Sequence, residues 1–388
     1  MGNKAKRIKV MHVAECVGGV DRYLRSLLKY MNHDKFENIV VLSQLYKSED
    51  YIILADEVET LRMTHSMGIK TLLSAVGIRK LIKKYEPDIV YAHSSIAGAI
   101  TRLANIGMKS KCIYNPHGWS FNMETNKKYV FILLERLMAL FCEVIICISD
   151  AEKESALKRK ICVEHKLCVV YNGIDFEESQ RGSIDRGMLN IPDDAFVVGM
   201  VGRICRQKAP DTFIKMAGEI IKKVENTYFI IVGNVLEGER EEKKEIEDFA
   251  VKNKIRLYIT GWVNNPLDYI KVFDVACLLS RWEGFGLVIP EYMLCEKPIV
   301  ATNVEAIPNL ITDMENGILV DVDDYNSAAN AVIELNKNTE FKSKLVRNGI
   351  DTVHKRFDVR RVAEQSEKII EQLWGLANQS VYKKNGYI

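Results

Sequence analysis

Two glutamates and a run of glycines stand close together in the segment 280–291, which reads S-R-W-E-G-F-G-L-V-I-P-E. The segment follows an apolar run typical of a strand and opens a helical pattern, and its residues Gly284 and Gly286 let the backbone approach a ligand closely. Free amides at the start of a helix donate hydrogen bonds to anions, while Glu283 and Glu291 could accept hydrogen bonds from sugar hydroxyls. The alternative is a glycine-rich turn whose glutamates are solvated or cap the helix.

Basic residues come directly after the first strand of the second half, in the segment 202–208, G-R-I-C-R-Q-K. Arg203 offers a two-pronged donor and Lys208 a point charge, and the two together suit a diphosphate. Cations in a strand-to-helix loop are also common as merely exposed side chains. We expect Arg206 to be one of these.

Two glycine-containing segments follow strands in the first half. Gly18 and Gly19 precede the first helical pattern, but the third glycine of the dinucleotide fingerprint G-x-G-x-x-G is missing, which counts against an NAD or FAD enzyme. This loop could instead fold over a phosphate or an acceptor. His117 and Gly118 follow a strand at the end where open α/β sheets bind ligands, so His117 is either a ligand-binding group or a satisfied structural histidine.

Metal-binding patterns are weak in this sequence. Asp321 and Asp323 form a D-x-D pair near the end of the chain, away from the other candidates, and a turn is expected there. The other histidines form no pair at metal-ligand spacing. The nine cysteines lack the two-residue gap of a zinc or redox site, which favours reduced thiols in a cytoplasm.

The elements that must position these residues alternate regularly along the chain. Short β-branched runs separated by amphipathic stretches predict parallel strands joined by right-handed helical crossovers. The predicted strands are 9–14, 39–43, 88–93, 112–115, 144–149, 168–171, 196–201, 228–232, 257–260, 275–279, 298–301 and 317–320. The alternation breaks at 177–194, the best linker candidate. Since a single core rarely exceeds about 250–300 residues, the sequence predicts an α/β chain of two doubly wound domains, with a last helix at 359–376.

Charge and composition narrow the class of partner. The 388 residues carry 54 Lys and Arg against 52 Asp and Glu, a balance that argues against a dedicated nucleic-acid binder. The net charge of +2 conceals an asymmetry, because residues 1–180 have 26 basic and 21 acidic side chains whereas 181–388 have 28 and 31. The basic half is therefore the one expected to meet an acidic membrane surface.

One stretch, Tyr129–Cys142, is strongly apolar but short for a bilayer span and carries Glu135 and Arg136 at its centre. Preceded by Lys127 and Lys128, it fits either a helix at a membrane surface or a helix packed in the core. The basic N-terminus is followed by a short strand-like run rather than by the longer apolar core of a signal peptide.

Taken in order, the motifs resemble those of the retaining family 4 glycosyltransferases over essentially the whole chain. The residues that carry the resemblance are Gly18-Gly19, His117-Gly118, Asn172-Gly173-Ile174-Asp175, Gly202-Arg203 with Lys208, Val232-Gly233, Gly261, Glu283-Gly284-Phe285-Gly286 with Glu291, and Gly317. The segments 18–24 and 115–119 look like those of Gram-positive capsular and exopolysaccharide enzymes, some of them rhamnosyltransferases.

The resemblance implies the GT-B architecture: two facing Rossmann-like, doubly wound domains, with a C-terminal helix that crosses back to the first. It implies an acceptor-binding domain at 1–178, a nucleotide-sugar-binding domain at 179–360, and a helix and tail at 361–388 that pack on the N-terminal domain. No cofactor and no metal are expected, because Arg, Lys and helix N-termini would neutralise the leaving diphosphate. The nucleotide-sugar is a substrate.

The resemblance also implies a role for each site residue. Arg203 and Lys208 would clamp the diphosphate, Gly18-Gly19 would close over the phosphates, and Glu291 would hold the ribose. Glu283, with Gly284 and the amides from Phe285 through Gly286 to Leu287, would hold the donor sugar. His117 would hydrogen-bond the sugar near the reacting centre. The family usually has a Gly-Gly pair where this chain has Glu305-Ala306, so donor choice is expected to be altered there.

The expected function is transfer of a sugar from TDP-rhamnose or a UDP-hexose to a lipid-linked saccharide in capsular or exopolysaccharide synthesis. The expected location is the cytoplasmic face of the membrane, with peripheral contact through the basic N-terminal domain and no nucleic-acid partner. The rival interpretations are an epimerase or phosphorylase of the same fold, and a non-catalytic sugar-nucleotide-binding accessory subunit.

Overall fold

The computed structural model describes residues 6–15, 18–63, 69–123, 126–177, 184–236 and 240–384. The chain divides into two compact units, Met1–Gly173 with Val359–Ile388, and Ile174–Asp358. The domain boundaries at 178/179 and 360/361 stay a prediction, and the part of the predicted linker at 178–183 lies outside the described residues.

The first unit is built on a seven-stranded parallel sheet in the order β3-β2-β1-β4-β5-β6-β7. Its strands are β1 (Ile8–Ala14), β2 (Phe36–Ser43), β3 (Glu57–Leu61), β4 (Ile89–His93), β5 (Lys111–Asn115), β6 (Val144–Cys147) and β7 (Leu167–Val169). Its helices are α1 (Gly19–Tyr30), α2 (Ile69–Tyr85), α3 (Ser95–Asn105), α4 (Lys128–Met138), α5 (Asp150–Lys158) and α13 (Val359–Lys384).

Alternate residues of these strands bury opposite faces of the sheet. Val13 of β1 belongs to a core shared with α2, α3, α4 and α5, whereas Val10 belongs to one shared with α1 and α13. The last helix thus returns to the first unit, as expected, and Lys35 Nζ lies 3.1 Å from Glu371 Oε1 on α13. None of the described helices is both long enough and apolar enough to cross a bilayer.

The second unit repeats the design with a six-stranded parallel sheet in the order β10-β9-β8-β11-β12-β13. Its strands are β8 (Phe196–Val201), β9 (Thr227–Val232), β10 (Arg256–Ile259), β11 (Val275–Leu278), β12 (Ile299–Thr302) and β13 (Ile318–Val320). Its helices are α6 (Pro210–Ile220), α7 (Arg240–Lys252), α8 (Pro266–Ile270), α9 (Val288–Leu294), α10 (Ile307–Leu310), α11 (Tyr325–Lys337) and α12 (Thr339–Arg356).

Both sheets reverse their strand order once, between β1 and β4 and between β8 and β11. The loops that leave adjacent strands at such a point diverge to opposite faces of the sheet and leave a crevice at the carboxyl ends, where open α/β sheets bind ligands. We therefore expect ligands to bind at the loops that follow these four strands.

Candidate functional site

The loop after β8 approaches the loop after β9 too closely for any side chain. A Cβ atom built on Gly233 would lie 2.0 Å from the carbonyl oxygen of Gly202, and Gly202 N donates to Val232 O at 3.0 Å. This contact holds the start of the segment 202–208 against the sheet, so that its cations lie at the carboxyl end of β8.

A buried ion pair joins that loop to the loop after β11. The Lys208 ammonium donates to Glu283 Oε1, and Ser280 Oγ donates to the same oxygen at 2.8 Å. The Lys208 and Glu283 side chains are 15% and 7% exposed. Two residues that the sequence analysis assigned to different parts of a donor molecule are thus direct neighbours.

The backbone of the loop after β11 is held from two sides. Glu283 N donates to Glu305 Oε2 at 2.8 Å, and Gln207 Nε2 donates to Trp282 O at 3.0 Å. Glu305, at the position where the sequence departs from the family pattern, therefore contacts the loop that carries Glu283. Gln207 was not among the predicted site residues.

Arg281 fastens the same loop to α6 and to the turn after β13. Its guanidinium lies 2.7 Å from Asp211 Oδ2 and 2.8 Å from Asp323 Oδ1, and it donates to Arg206 O at 2.8 Å. The expectation that Asp323 lies away from the other candidates is therefore wrong, because the long Arg281 side chain reaches the turn after β13, two strands from β11 in the same sheet. Asp323 takes part in positioning the loop, at a turn with φ of +64°.

The remaining predicted donor residues lie along the same loop and the helix that follows it. Gly286 has φ of +86°, and Phe285 is buried with its ring 5.8 Å from that of Phe357. Glu291, in the first turn of α9, is completely buried. Arg203 is exposed, with Nη2 3.4 Å from Gln207 Oε1. Gly284 and Leu287, both in the loop before α9, are partly exposed.

In the first unit, the predicted residues lie at the ends of β1 and β5. Gly18 is exposed with φ of +89° and precedes α1, which begins at Gly19. One turn later, the rings of Tyr23 and His117 pack edge to face, with their centroids 4.6 Å apart. The glycine pair and His117 thus occupy the same end of the sheet, whereas the donor residues named above all belong to the second unit.

The loop that carries His117 has a left-handed backbone and is fixed by a buried carboxylate. His117 and Gly118 have φ of +52° and +109°, and Asn115 Oδ1 accepts a hydrogen bond from His117 N at 3.1 Å. Glu152 on α5 accepts from Gly118 N at 2.7 Å and from Ile148 N at 2.6 Å. His117 is therefore held in place rather than placed by chance on a mobile turn.

Behind His117, two further histidines form a hydrogen-bonded chain that the sequence analysis missed. His93 Nδ1 lies 3.3 Å from His117 Nε2, and His12 Nδ1 lies 3.2 Å from His93 Nε2. The signal was present, because a histidine inside each of two apolar strands is unusual. Among the described residues, however, no group of three His, Cys, Asp or Glu side chains is arranged to hold a metal ion.

The chain is similar to known proteins in sequence and in fold. Residues 17–178 match the family described as Glycosyltransferase Family 4, and residues 183–352 match Glycosyl transferases group 1. The chain is 29% identical over 367 residues to the Escherichia coli UDP-Gal:alpha-D-GlcNAc-diphosphoundecaprenol alpha-1,3-galactosyltransferase, covering 90% of this chain and 94% of that protein. It is 30% identical to an uncharacterized 41.2 kDa protein in the cps region of Klebsiella pneumoniae, covering 84% and 89%.

Its fold is similar to that of Anabaena Alr3699/HepE in complex with UDP and glucose. The TM-score is 0.81 at 20% identity, and the match covers 94% of this chain and 100% of that one. Two parallel-sheet, Rossmann-like domains with this likeness are the GT-B fold. The chain therefore belongs to the group 1 and family 4 glycosyltransferases.

Proposed function

We propose that this enzyme is a retaining glycosyltransferase that moves a sugar from a nucleoside-diphosphate sugar to a lipid-linked oligosaccharide in capsular or exopolysaccharide synthesis. The observation that carries the proposal is the buried contact between Lys208 and Glu283 at the strand-order reversal of the second sheet. It provides a cation for phosphate and a carboxylate for sugar hydroxyls within one crevice. The proposed donors are a UDP-hexose or TDP-rhamnose, and the E. coli relative has UDP-Gal in its name.

In this proposal each charged group has one partner on the donor. Arg203 and Lys208 bind the diphosphate, Glu291 binds the ribose, and the amides from Phe285 to Leu287 bind the sugar. Both described hydrogen bonds to the Glu283 carboxylate fall on Oε1, which leaves Oε2 for a sugar hydroxyl. Glu305, through its contact with Glu283 N, would influence which sugar is accepted.

The proposed reaction is a front-side displacement that keeps the anomeric configuration. The bond between the anomeric carbon and the phosphate oxygen breaks while the acceptor oxygen bonds to the same face of the sugar. The acceptor's proton passes to the departing phosphate oxygen, so a dedicated protein base is not required. Arg203 and Lys208 stabilise the charge on the diphosphate, and we propose that no metal is needed, so that the rate should be unchanged by a chelator.

The first test identifies the nucleotide and then the reaction. A donor at 100 times its Kd should stabilise the protein by about 2.7 kcal/mol, so a melting-temperature screen of UDP-, TDP-, GDP- and ADP-sugars ranks the candidates. The best donor is then incubated with and without a lipid-diphosphate saccharide. We expect a product only with the acceptor and an Arg203→Ala variant that loses it.

The same assay separates the rivals. Conversion of the donor alone would indicate an epimerase, and a requirement for inorganic phosphate would indicate a phosphorylase. Binding of nucleotide without turnover on any acceptor would indicate an accessory subunit. Full activity of Arg203→Ala would overturn the assignment of the diphosphate clamp.

The outer side of α4 supports the proposal that the enzyme meets its acceptor at the inner face of a membrane. Tyr129, Leu133 and Leu137 are 82%, 66% and 53% exposed, and Lys127 and Lys128 at the start of the helix are exposed as well. A core-packed helix would bury these side chains. An apolar face with cations at its edge fits the boundary between anionic headgroups and acyl chains.

Replacing Leu133 and Leu137 with Gln is expected to weaken binding to vesicles that contain an anionic phospholipid by about a hundredfold or more, because each buried leucine contributes about 1.5–3 kcal/mol. Co-sedimentation with such vesicles measures the effect, and binding should also weaken as salt rises. The matched control is Val251→Gln on α7, a residue 79% exposed in the second unit. Equal loss in the control, or no binding by the unsubstituted chain, would contradict the membrane contact.

A further inference from the structure

Four polar side chains lie in a row across one face of the first sheet. Asn38 of β2, His12 of β1 and His93 of β4 are completely buried, on the face that packs against α1 and α13. The row ends at His117, which follows β5 and is partly exposed. Three neighbouring strands and the loop after a fourth thus connect a buried amide to the candidate catalytic histidine.

The four groups are linked end to end by hydrogen-bond distances. Asn38 Oδ1 lies 3.3 Å from His12 Nε2, and the two histidine contacts beyond it measure 3.2 Å and 3.3 Å. Both ring nitrogens of His12 and both of His93 take part in these hydrogen bonds. Nδ1 of His117 is the outer end of the hydrogen-bonded row. At the inner end of the row, the backbone of Asn38 is held in place because its N–H donates to Asp56 Oδ2 at 2.8 Å.

A neutral imidazole has one N–H and one lone pair, so a chain of neutral histidines has a direction. When Asn38 presents its oxygen, His12 must hold its proton on Nε2 and accept on Nδ1. His93 must then donate from Nε2 and accept on Nδ1, and His117 must donate from Nε2. If the amide presented its NH₂ group instead, all three protons would move to the Nδ1 positions. The orientation of one buried amide therefore determines which atom of His117 is a lone pair.

Burial favours the neutral state of these histidines. Burial lowers the pKa of His12 to about 4, partly opposed by its hydrogen bond to Asn38, and lowers that of His117 to about 3. Around them, the hydroxyls of Tyr23 on α1 and Tyr91 on β4 share a hydrogen bond of 3.0 Å, and burial raises the pKa of both.

Two carboxylates contact residues next to His117 and His93 in the sequence. Glu152 on α5 accepts hydrogen bonds from backbone amides on both of its oxygens, and Glu15 after β1 lies 3.4 Å from Ser94 Oγ. The pKa of His12 lies below its ordinary 6.5. The neutral His12 ring therefore stabilises the folded protein fully above pH 6.5, and this stabilisation is lost as the pH falls towards about 4.

We propose that Asn38, His12 and His93 are positioning residues that hold His117 as a neutral imidazole with its proton on Nε2, so that Nδ1 accepts a hydrogen bond from a substrate hydroxyl. The role of the substrate hydroxyl rests on the proposed glycosyl transfer. The direction in which the hydrogen bonds of the row donate is a property of the protein alone and does not depend on that reaction.

The test is the imidazole nitrogen spectrum of the full chain labelled with ¹⁵N-histidine, recorded without donor or acceptor. The seven histidines are assigned from single His→Gln variants. We expect His12, His93 and His117 each to show the Nε2–H tautomer at pH 7. A proton on Nδ1 of His117, or a charged ring at pH 7, would overturn the proposal whether or not the protein proves to be a glycosyltransferase.

Variants at position 38 test whether the Asn38 amide determines the tautomer of His117. Asn38→Asp keeps an acceptor oxygen and should preserve the Nε2–H tautomer of His117, whereas Asn38→Leu removes the acceptor and should give a mixture of both tautomers. His33→Gln, whose ring contacts Leu28 O, is the control and should leave the other signals unchanged. An unchanged His117 tautomer in a folded Asn38→Leu protein would show that the amide does not set the direction. If that variant does not fold, the tautomers of the unsubstituted protein still decide the question.

Discussion

A Lys208→Met enzyme is expected to transfer sugar about 10²–10³-fold more slowly than the unsubstituted enzyme, the cost of removing one group that stabilises charge on a leaving oxyanion. Methionine keeps the length and apolar stem of lysine but removes the ammonium. The loss should appear in kcat as well as in kcat/KM, because the charge on the departing diphosphate grows as the sugar bond breaks. Initial rates with saturating donor and acceptor measure the effect.

The same substitution has a structural consequence that must be separated from catalysis. Lys208 is the cation paired with Glu283, and both side chains are largely buried. Removing one member of a buried pair leaves the other charge uncompensated. A Lys208→Met/Glu283→Gln double variant removes both charges and should regain the melting temperature that the single variant loses, without regaining activity.

Lys215→Met is the matched control, since it makes the same chemical change on α6 at a side chain that is 49% exposed. Its activity should stay within about twofold of the unsubstituted enzyme, because exposed ion pairs contribute little. Retained activity in the folded Lys208→Met protein would remove Lys208 from the diphosphate clamp. Recovery of activity in the double variant would show that the single substitution acts through stability alone.

The residues proposed to bind the donor could be singled out from the sequence because their signals are local. Lys208 and Glu283 each stand a few residues after a strand, and the two strands are neighbours at the reversal of strand order. Parallel strands bring their carboxyl ends to one edge, so the loops that follow neighbouring strands meet there. What the local pattern did not contain was the direct pairing of Lys208 with Glu283, which depends on side-chain reach.

Contacts that depend on strand order were missed. His12, His93 and His117 are separated by 81 and 24 positions, and no spacing rule along the chain relates them. They meet because β1, β4 and β5 are adjacent in the sheet. Asp323 was set aside for the same reason, since its distance from Arg281 along the chain conceals their closeness in space.

Three elements escaped prediction: the short helix α10, β3 and α12. In β3 and α12 the apolar pattern is weak. β3, with the sequence E-V-E-T-L, is an edge strand that stays largely solvent-accessible, so selection of apolar residues there is relaxed. α12 buries only a narrow line of side chains, Leu345, Gly349 and Val353, along 18 residues. The strands with buried faces, in contrast, were predicted to within three residues at either end.

Glu135→Ala is expected to destabilise the first unit by about 3–5 kcal/mol, the usual cost of leaving one charge of a buried pair without its partner. Glu135 Oε2 lies 3.0 Å from Arg102 Nη2, with side chains 7% and 1% exposed, and Oε1 accepts from Tyr114 OH at 2.9 Å. At about 2–4 °C per kcal/mol for a unit of this size, the melting temperature should fall by roughly 10 °C. Thermal unfolding followed by circular dichroism measures it.

The arrangement around Arg102 explains why the loss should be large. The guanidinium lies over the Tyr114 ring at 3.9 Å and donates to Gly98 O at 2.9 Å, so it cannot turn outwards to solvent without breaking these contacts. Replacing both charges, as in Arg102→Met/Glu135→Leu, should recover most of the stability, because a buried pair replaced by apolar residues of similar volume is often neutral. A double variant as unstable as Glu135→Ala would show that packing, rather than the unpaired charge, causes the loss.

Variants of α4 can also distinguish its contribution to stability from its proposed contact with a membrane. Glu135 lies on the buried side of the helix, whose opposite side exposes Leu133 and Leu137. If this apolar side binds membranes, the double variant, with α4 held in place again, should bind anionic vesicles as the unsubstituted chain does. Leu133→Gln/Leu137→Gln should show the reverse, with an unchanged melting temperature and weaker vesicle binding. Loss of vesicle binding in the stable double variant would mean that the charge pair, rather than the exposed leucines, makes the contact.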